Sequence, residues 1–544
     1  MRRSLPALVA GAIVVLLAVA LLWPTGQTAT GEPSSRSTRQ ATFGDRDADG
    51  VLERGHGEPL ADRTELAPRS RVARPLATLA QISDAHVRDE ESPARAFFLD
   101  RLGEPFTSTF RPQEALSPQT LTAAVRSINR LRPDAVLETG DLADNAQANE
   151  MDQALAVLRG GRVVPGSGAR GYDGPQSASR ADPFLYRPGL DAPRHPDLLA
   201  SAQRPFRSPG LRAPWYPVAG NHDLLVQGEA TAVPAPAGPG HRLADPGGAR
   251  RGAPDPARRP GVRPRRDRRR AGSRAPGAHH LDGRRSRAEA VERGRGGRAP
   301  APGQRTGGAG ARLDYSFSVG RHLRVITLDV VNRAGGSQAV VGAAQLAWLR
   351  DQLARAGDRW VMVLSHQPLA GARGGAAVLS ELDRNPRVVA AVSGHTHTNS
   401  IRPRRSPAGG YWLIATASLT DYPQQARALK LVRTVGGGVA VETWMVDTAP
   451  SRLGDTARDL SYLDAQGGRP QGNAGARRDR NVRLFKARRS ASARGPRATR
   501  SSRSVRWLAR KSPAKRAPAH EPGDDAARRA HGRRWAVKDL NLQP

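Results

Sequence analysis

Three histidines follow two short apolar segments in the middle of the chain. Residues 361–365 lead to His366, and residues 388–393 lead to His395 and His397. A β-branched apolar run that stops abruptly is typical of a buried strand, and ligands collect at the carboxyl ends of strands in open α/β sheets. On extended backbone, side chains two residues apart leave the same face, as His395 and His397 would. The pattern predicts a metal site at these strand ends, because imidazole is a common metal ligand.

The same arrangement of a strand followed by polar residues occurs three more times upstream. The additional patterns are D-x-H at Asp84 and His86, G-D-x-x-D at Asp141 and Asp144, and G-N-H-D at Asn221, His222 and Asp223. A single histidine after a strand, such as His366, is by itself more typical of a satisfied polar side chain. Five such patterns in order indicate a functional site.

This ordered series resembles the calcineurin-like metallophosphoesterase superfamily, and the N-terminal half is similar to a secreted, actinobacterial-type branch of it. Residues 314–329 resemble the hairpin that follows the G-N-H pattern, and residues 345–353 resemble the helix before the lone-histidine strand. The resemblance covers residues 40–230 and 311–450. It implies an α/β fold, a four-layer αββα sandwich of the metallophosphoesterase type, here with basic low-complexity segments.

The resemblance also implies a centre of two divalent metal ions. The implied ligands are Asp84, His86 and His397 for the first ion, Asn221, His366 and His395 for the second, and Asp141 as the bridge between them. Mn²⁺ is our first choice, with Fe or Zn as alternatives, because mixed nitrogen and oxygen ligands accept several divalent ions. Three glycines beside these ligands are expected to allow close backbone approach, namely Gly140, Gly220 and Gly394.

Two further residues of the patterns are implied to be catalytic. By the resemblance, His222 faces the substrate, stabilises the transferring phosphoryl group and protonates the leaving oxygen. Asp144 is expected to orient that imidazole. Purple acid phosphatases have a metal-binding tyrosine at the position of Asp144, so an Fe(III)–tyrosinate centre is not supported. Asp223 is expected to be a turn carboxylate.

Composition restricts the chemistry further. The 544 residues carry a formal net charge of +35 and no cysteine. Without cysteine there is no disulfide and no Cys-ligated zinc, so any metal ligands must be His, Asp and Asn. The excess positive charge lies mostly outside the segments that bear the patterns, which weakens an interpretation as a nucleic-acid-binding protein.

The N-terminus has the features of an export signal. Arg2 and Arg3 precede an apolar run over residues 7–23. Residues 1–30 are predicted to be a signal peptide or an N-terminal membrane anchor, and both alternatives place the rest of the chain outside the cytoplasm. Residues 31–75 are predicted to be a linker and an N-terminal extension.

Two arginine-rich segments differ from the rest of the chain. Residues 231–310 interrupt the predicted metallophosphoesterase domain (76–450), and residues 451–544 are interpreted as a tail of the same character. Both lack helical or strand periodicity. They are either basic disordered segments that bind polyanions or codons read out of frame, and a structureless insert of that length inside a compact domain favours the frame error.

The resulting hypothesis is an exported, dinuclear metal-dependent phosphoesterase. It would hydrolyse phosphomonoesters or phosphodiesters of small molecules or polymers with metal-activated water, without a specific nucleic-acid partner. The alternative is a basic, disordered polyanion-binding protein with an inactive or incomplete phosphoesterase domain. The sequence does not identify the substrate, the native metal or the oligomeric state.

Overall fold

The computed structural model describes residues 37–231, 312–466 and 473–488, apart from 91, 93–95, 103–108, 169, 181 and 183. The predicted signal or anchor (1–30), nearly all of the arginine-rich insert and the tail beyond residue 488 lie outside the described residues. Among the residues described, no helix is both long and apolar enough to cross a membrane.

In the described part of the chain, strands and helices alternate over residues 117–208 and again over residues 343–393. In chain order the strands are β1 (Ala41–Gly44), β2 (Glu53–His56), β3 (Ala61–Arg63), β4 (Val72–Ile82), β5 (Ala135–Glu138), β6 (Gly161–Val163), β7 (Phe206–Ser208), β8 (Trp215–Pro217), β9 (Tyr315–Val319), β10 (Leu323–Leu328), β11 (Trp360–Ser365), β12 (Val388–Ser393), β13 (Ser400–Arg404), β14 (Tyr411–Ala415), β15 (Gln425–Thr434), β16 (Val439–Asp447) and β17 (Val482–Lys486). The helices are α1 (Ser117–Leu131), α2 (Ala148–Arg159), α3 (Leu198–Ala202), α4 (Ala343–Arg355), α5 (Gly375–Arg384) and α6 (Arg452–Gln466).

Two large sheets hold most of the strands. The larger has the order β3–β17–β16–β15–β4–β5–β8, and the smaller has the order β13–β14–β12–β11–β10–β9. In the larger sheet β4, β5 and β8 run parallel to one another. In the smaller sheet β10, β11, β12 and β14 are parallel. Parallel neighbours present their carboxyl ends at the same edge of a sheet, which is where the polar patterns of the sequence fall.

The sheets pack face to face, and helices cover their outer faces. The core between the sheets contains Leu79 and Leu431 from the larger sheet and Val325, Met362 and Trp412 from the smaller one. Helices α1 and α2 bury their apolar sides on the outer face of the larger sheet. Helices α4 and α5 do the same on the smaller sheet. Because both faces of β11 and β12 are covered, all their residues are buried. The predicted α/β fold is confirmed, and its layers follow the order helix, sheet, sheet, helix.

Two local predictions are confirmed. The helix expected at 345–353 and the hairpin expected at 314–329 are present as α4 and β9–β10. Helix α1 begins at Ser117, whose hydroxyl accepts a hydrogen bond from the Arg88 N–H (3.0 Å). The late strands β14 and β16 belong to different sheets: β14 pairs with β12, whereas β16 pairs with β15.

The predicted tail boundary at residue 451 is wrong for the residues that follow it. Helix α6 packs Ala457 and Leu460 against Leu116 and Leu198. Strand β17 is inserted between β16 and β3 in the larger sheet, where Phe485 is buried. A five-residue strand among arginines shows too little periodicity to be recognised, and only its pairing partners stabilise it. Residues 452–466 and 473–488 are thus part of the folded domain.

Asp314, in the turn before β9, should make stability depend on pH. Burial raises the pKa of Asp314 to about 6, although its carboxylate accepts hydrogen bonds from Asp329 N–H (2.9 Å) and Gln345 Nε2 (2.7 Å). Since the folded-state pKa is raised, this stabilising contribution is complete below pH ~4 and is lost as the pH rises through 6.

Asp314→Asn keeps the acceptor and cannot ionise. We expect the free energy of unfolding of Asp314→Asn, relative to wild type, to increase by about 2 kcal/mol from pH 4 to 7. Denaturant titrations at both pH values measure this difference, and a pH-independent difference would contradict it.

Candidate metal centre

The polar patterns converge at the carboxyl ends of five parallel strands. Asp84 and His86 follow β4, Asp141 follows β5, and His395 and His397 follow β12. At all five of these residues φ lies between 42° and 69°, a region that residues other than glycine rarely adopt. Such strain persists where the surrounding structure imposes it, and it is concentrated at functional sites. The chain turns sharply at each strand end and directs these side chains to a common place.

One cluster joins the first and last patterns of the series. Ligand atoms of Asp84, His86 and His397 lie within 4.8 Å of one another, and all three residues are buried. His86 Nδ1 donates to Asp144 Oδ1 (3.0 Å), and His397 Nδ1 donates to Asp421 Oδ2 (2.5 Å). When both rings are neutral, each presents its Nε2 lone pair, and the two Nε2 atoms face each other at 3.1 Å. Two lone pairs in this arrangement repel unless a cation lies between them, so these residues fit a metal ion.

A second cluster forms where β5, β11 and β12 end, with Asn221 after β8 beside it. Ligand atoms of Asp141, His366 and His395 also lie within 4.8 Å of one another. His366 Nδ1 donates to the main-chain oxygen of Thr139 (2.8 Å), which leaves Nε2 to face Asn221 Oδ1 and Asp141 Oδ2, each at 3.0 Å. Nitrogen and oxygen donors of this kind suit a divalent first-row metal.

Asp141 lies between the two clusters. Its Oδ2 is 3.0 Å from His366 Nε2 and 3.9 Å from His86 Nε2. Its Oδ1 accepts a hydrogen bond from the His222 main-chain N–H (2.8 Å). This carboxylate is thus fixed by the backbone of one strand end and faces nitrogens of both clusters, which is the geometry expected of a bridging ligand.

The three expected close approaches of glycine are confirmed. A Cβ at Gly140 would lie 2.5 Å from His366 Nδ1. A Cβ at Gly220 would collide with the main-chain nitrogen and the carboxylate of Asp141, and one at Gly394 would collide with Ser83 and Asp84. Each glycine therefore lets one strand end approach a predicted ligand from another.

His222 is partly open to solvent, unlike the buried His86, His366 and His397. Its side chain is 25% exposed, and its Nδ1 donates to the main-chain oxygen of Asp144 (2.6 Å), so Nε2 is directed away from that contact. The Asp144 carboxylate lies 4.0 Å from His222 Nδ1, beyond hydrogen-bond distance, and instead contacts His86 and Arg88 (2.8 Å). The expectation that this carboxylate orients His222 is therefore corrected: the main chain of Asp144 does so.

Burial and neighbouring carboxylates shift the pKa values of the histidines in the two clusters in opposite directions. Burial lowers the pKa of His86 to about 4 and that of His395 to about 3. Burial also disfavours the charged form of His366 and His397, but neighbouring carboxylates outweigh it and raise the pKa to about 10 and about 9, respectively. A proton on His397 can then occupy the gap to His86 Nε2. Protons thus occupy positions that suit metal ions, so metal binding should release them.

Asp223 confirms its expected role as a turn carboxylate. It accepts hydrogen bonds from the main-chain N–H groups of Asp141 (2.9 Å), Leu142 (2.9 Å), Ala143 (3.0 Å) and Gly220 (2.9 Å). These contacts hold the loops after β5 and β8 together, so Asp223 supports the site and does not enter it.

Sequence reasoning missed Asp421, which is fully buried and bonded to both His397 and Arg111. It lies in the loop after β14, and β14 is a parallel neighbour of β12. A signal is present in the sequence, because residues 411–415 are an apolar run and the carboxyl end of a parallel strand is a place to look for polar residues.

Several solved structures are similar to this chain. A dimetal phosphatase from Danio rerio is 14% identical (TM-score 0.33), over 69% of this chain and 100% of that one. The Thermus thermophilus sulfate thiohydrolase SoxB is 16% identical (TM-score 0.31), over 72% of this chain and 60% of its own. The purple acid phosphatase PPD1 from yellow lupin (Lupinus luteus) seeds is 12% identical (TM-score 0.30), with 73% and 54% covered.

No curated protein sequence matches the chain significantly. The model of one protein family does match, however, and it spans residues 77–399, more than half of the chain. That match includes every strand end at which the two clusters are built. The chain belongs to the calcineurin-like phosphoesterase family, whose members are metal-dependent phosphoric ester hydrolases.

Proposed function

We propose that this protein is an exported, dinuclear metal-dependent phosphoesterase that hydrolyses phosphomonoesters or phosphodiesters. The observation that carries the proposal is the pair of buried Nε2 atoms of His86 and His397, which face each other at 3.1 Å while both Nδ1 atoms donate to carboxylates. A protein core tolerates that arrangement when a proton or a metal ion lies between the two nitrogens, and the Asp84 carboxylate, 3.5 Å from His397 Nε2, adds an oxygen donor that suits a metal ion. The second cluster at Asp141 supplies the neighbouring position.

The proposed ligands are those of the two clusters, with Asn221 added to the second. They are Asp84, His86 and His397 for one ion, Asn221, His366 and His395 for the other, and Asp141 for both. Mn²⁺ is the proposed metal, with Fe or Zn as alternatives, because the donors are nitrogen and oxygen without sulfur.

The chain's own residues then divide the chemistry. When bound, two divalent ions supply Lewis acidity to the phosphate oxygens and lower the pKa of water towards ~7. His222 donates from Nδ1–H to a main-chain oxygen, so its Nε2 carries a proton only in the imidazolium form, and in that form Nε2 would donate the proton to the leaving oxygen. The buried side chains around the clusters exclude bulk water, which strengthens electrostatic interactions with a bound phosphate.

The cellular location is proposed from the N-terminus alone. Two arginines followed by the apolar run over residues 7–23 support export, with residues 1–30 as a signal peptide or membrane anchor. A substrate outside the cytoplasm follows from that assignment.

Metal removal and replacement test the proposal. The purified full chain should lose hydrolysis of p-nitrophenyl phosphate and bis-p-nitrophenyl phosphate after chelation and regain it with Mn²⁺, with about two ions bound per chain when active. Comparing the two substrates separates monoesterase from diesterase activity. The proposal fails if folded protein with two bound Mn²⁺ ions hydrolyses neither ester.

A further inference from the structure

Two buried arginines contact the carboxylates that accept hydrogen bonds from His86 and His397, one arginine at each carboxylate. On one side Arg88 Nε forms an ion pair with Asp144 Oδ2 (2.8 Å), and Asp144 Oδ1 accepts the hydrogen bond from His86 Nδ1 (3.0 Å). The side chains of Arg88, Asp144 and His86 are at most 5% exposed. These contacts form a first arm, in which the Arg88 guanidinium holds the Asp144 carboxylate and that carboxylate fixes the His86 imidazole.

The other side repeats the arrangement with residues from a different part of the chain. Arg111 donates from Nε to Asp421 Oδ1 and from a terminal nitrogen to Asp421 Oδ2 (3.4 Å). Asp421 Oδ2 in turn accepts the hydrogen bond from His397 Nδ1 (2.5 Å). Asp421 is 0% exposed and Arg111 is 2% exposed.

Glu114 joins the two arms at the back. Its carboxylate forms an ion pair with Arg88 and accepts the main-chain N–H of Arg111 (3.0 Å). The contacts thus close a ring that begins and ends at the facing Nε2 atoms of the two histidines. This charged ring consists of Arg88, Glu114, Arg111, Asp421, His397, His86 and Asp144.

The charged ring has a direct chemical consequence at the metal position. A carboxylate opposite Nδ1 requires the proton to be on Nδ1, so the Nε2 lone pair remains available for a metal ion. With neutral imidazoles, the ring contains two guanidinium groups and three carboxylates, one negative charge in excess. His366 in the second cluster has only the neutral main-chain oxygen of Thr139 opposite its Nδ1. The two positions therefore differ in how strongly they attract a cation.

We propose that Asp421 is a positioning residue of the metal centre, which, through the charged ring, fixes the tautomer and orientation of His397 and thereby sets the affinity of the first metal position. Asp421, Arg111 and Glu114 lie outside the five sequence patterns. The inference rests on the proposed function, because it requires His86 and His397 to be metal ligands. Asp421 acts through His397 and does not contact the reacting atoms.

Asp421→Asn of the full chain tests this inference through Mn²⁺ binding. An asparagine amide cannot accept hydrogen bonds at both of its ends, so either Arg111 or the His397 Nδ1–H loses its acceptor. Isothermal titration calorimetry should show one Mn²⁺ ion bound about 10–100-fold more weakly than in wild type, with the other ion bound unchanged. Activity should recover as free Mn²⁺ is raised, which a general folding defect would not produce.

Asp383→Asn is the matched control. Asp383 also accepts two hydrogen bonds from an arginine, from Arg404 Nε (2.7 Å) and from a terminal nitrogen of Arg404 (2.6 Å). Asp383 is in α5 and Arg404 is in β13, and neither residue belongs to the two clusters. This variant should bind both Mn²⁺ ions with wild-type affinity. If Asp421→Asn does the same, the inference is wrong and the proposed function stands.

A second variant covers the case in which Asp421→Asn does not fold. Arg111→Gln leaves the Asp421 carboxylate on His397 and removes only its charged partner, so Mn²⁺ at the first position should bind about tenfold more weakly. Wild-type affinity in Arg111→Gln would also overturn the inference. If the wild-type chain itself bound no Mn²⁺, the proposed function would fail, and the inference with it.

Discussion

Asp141→Asn should lower kcat/KM for phosphoester hydrolysis by about a thousandfold or more, which corresponds to at least ~4 kcal/mol of transition-state stabilisation. The substitution preserves shape, and one oxygen can still accept the His222 main-chain N–H. The other oxygen, which faces His366 and His86, becomes an NH₂ group, and an NH₂ group cannot coordinate a cation. If the amide turned over, the NH₂ group would instead face the His222 N–H, which needs an acceptor. The carboxylate that faces both clusters is thereby lost.

Metal content and kinetics should change together in this variant. We expect Asp141→Asn to bind fewer than two Mn²⁺ ions at concentrations that saturate wild type, and to retain its fold because no apolar packing is altered. Asp351→Asn, on α4 in a surface ion pair with Arg355, is the control for a lost carboxylate and should have wild-type activity. Two tightly bound ions and undiminished turnover in Asp141→Asn would rule out the bridging role.

His222→Ala should reduce kcat by about 10²–10⁴-fold while both metal ions remain bound. His222 is partly exposed, and a main-chain oxygen accepts a hydrogen bond from its Nδ1. Its proposed task is to protonate the leaving oxygen, and nitrophenolate leaves readily without a proton, whereas an alkoxide does not. The loss should therefore be at least about tenfold larger for an alkyl phosphate than for p-nitrophenyl phosphate.

Metal stoichiometry decides between two roles for His222. A ring nitrogen of His222, a ring nitrogen of His86 and a carboxylate oxygen of Asp144 also lie within 4.8 Å of one another and could hold a cation. If His222→Ala loses one Mn²⁺ ion, His222 is a ligand and not a proton donor. Equal losses for alkyl and nitrophenyl esters, with both ions retained, would instead indicate that it only stabilises the phosphoryl group.

The elements that carry the candidate centre were predictable from the sequence because their signals are local. A buried parallel strand is a short apolar run, so β11 and β12 and the histidines that follow them stand out without any knowledge of the fold. The glycines at positions 140, 220 and 394 were also interpretable, since a glycine next to a polar ligand indicates close approach. Resemblance to a family then grouped the ligands into two sets, and the structure brings the same residues together.

Tertiary structure alone decided what holds these residues. Asp421 is 24 residues from its partner His397, and Arg111 is 310 residues from its partner Asp421. Glu114 joins them from the segment before α1. No local periodicity encodes such contacts, because they depend on which loops the packed sheets place at one edge. The same holds for β17, whose five residues form a strand only between β16 and β3. The sequence by itself determined which residues could do the chemistry, whereas long-range packing determined their hydrogen-bond partners, and with them which nitrogen of each imidazole faces the metal position.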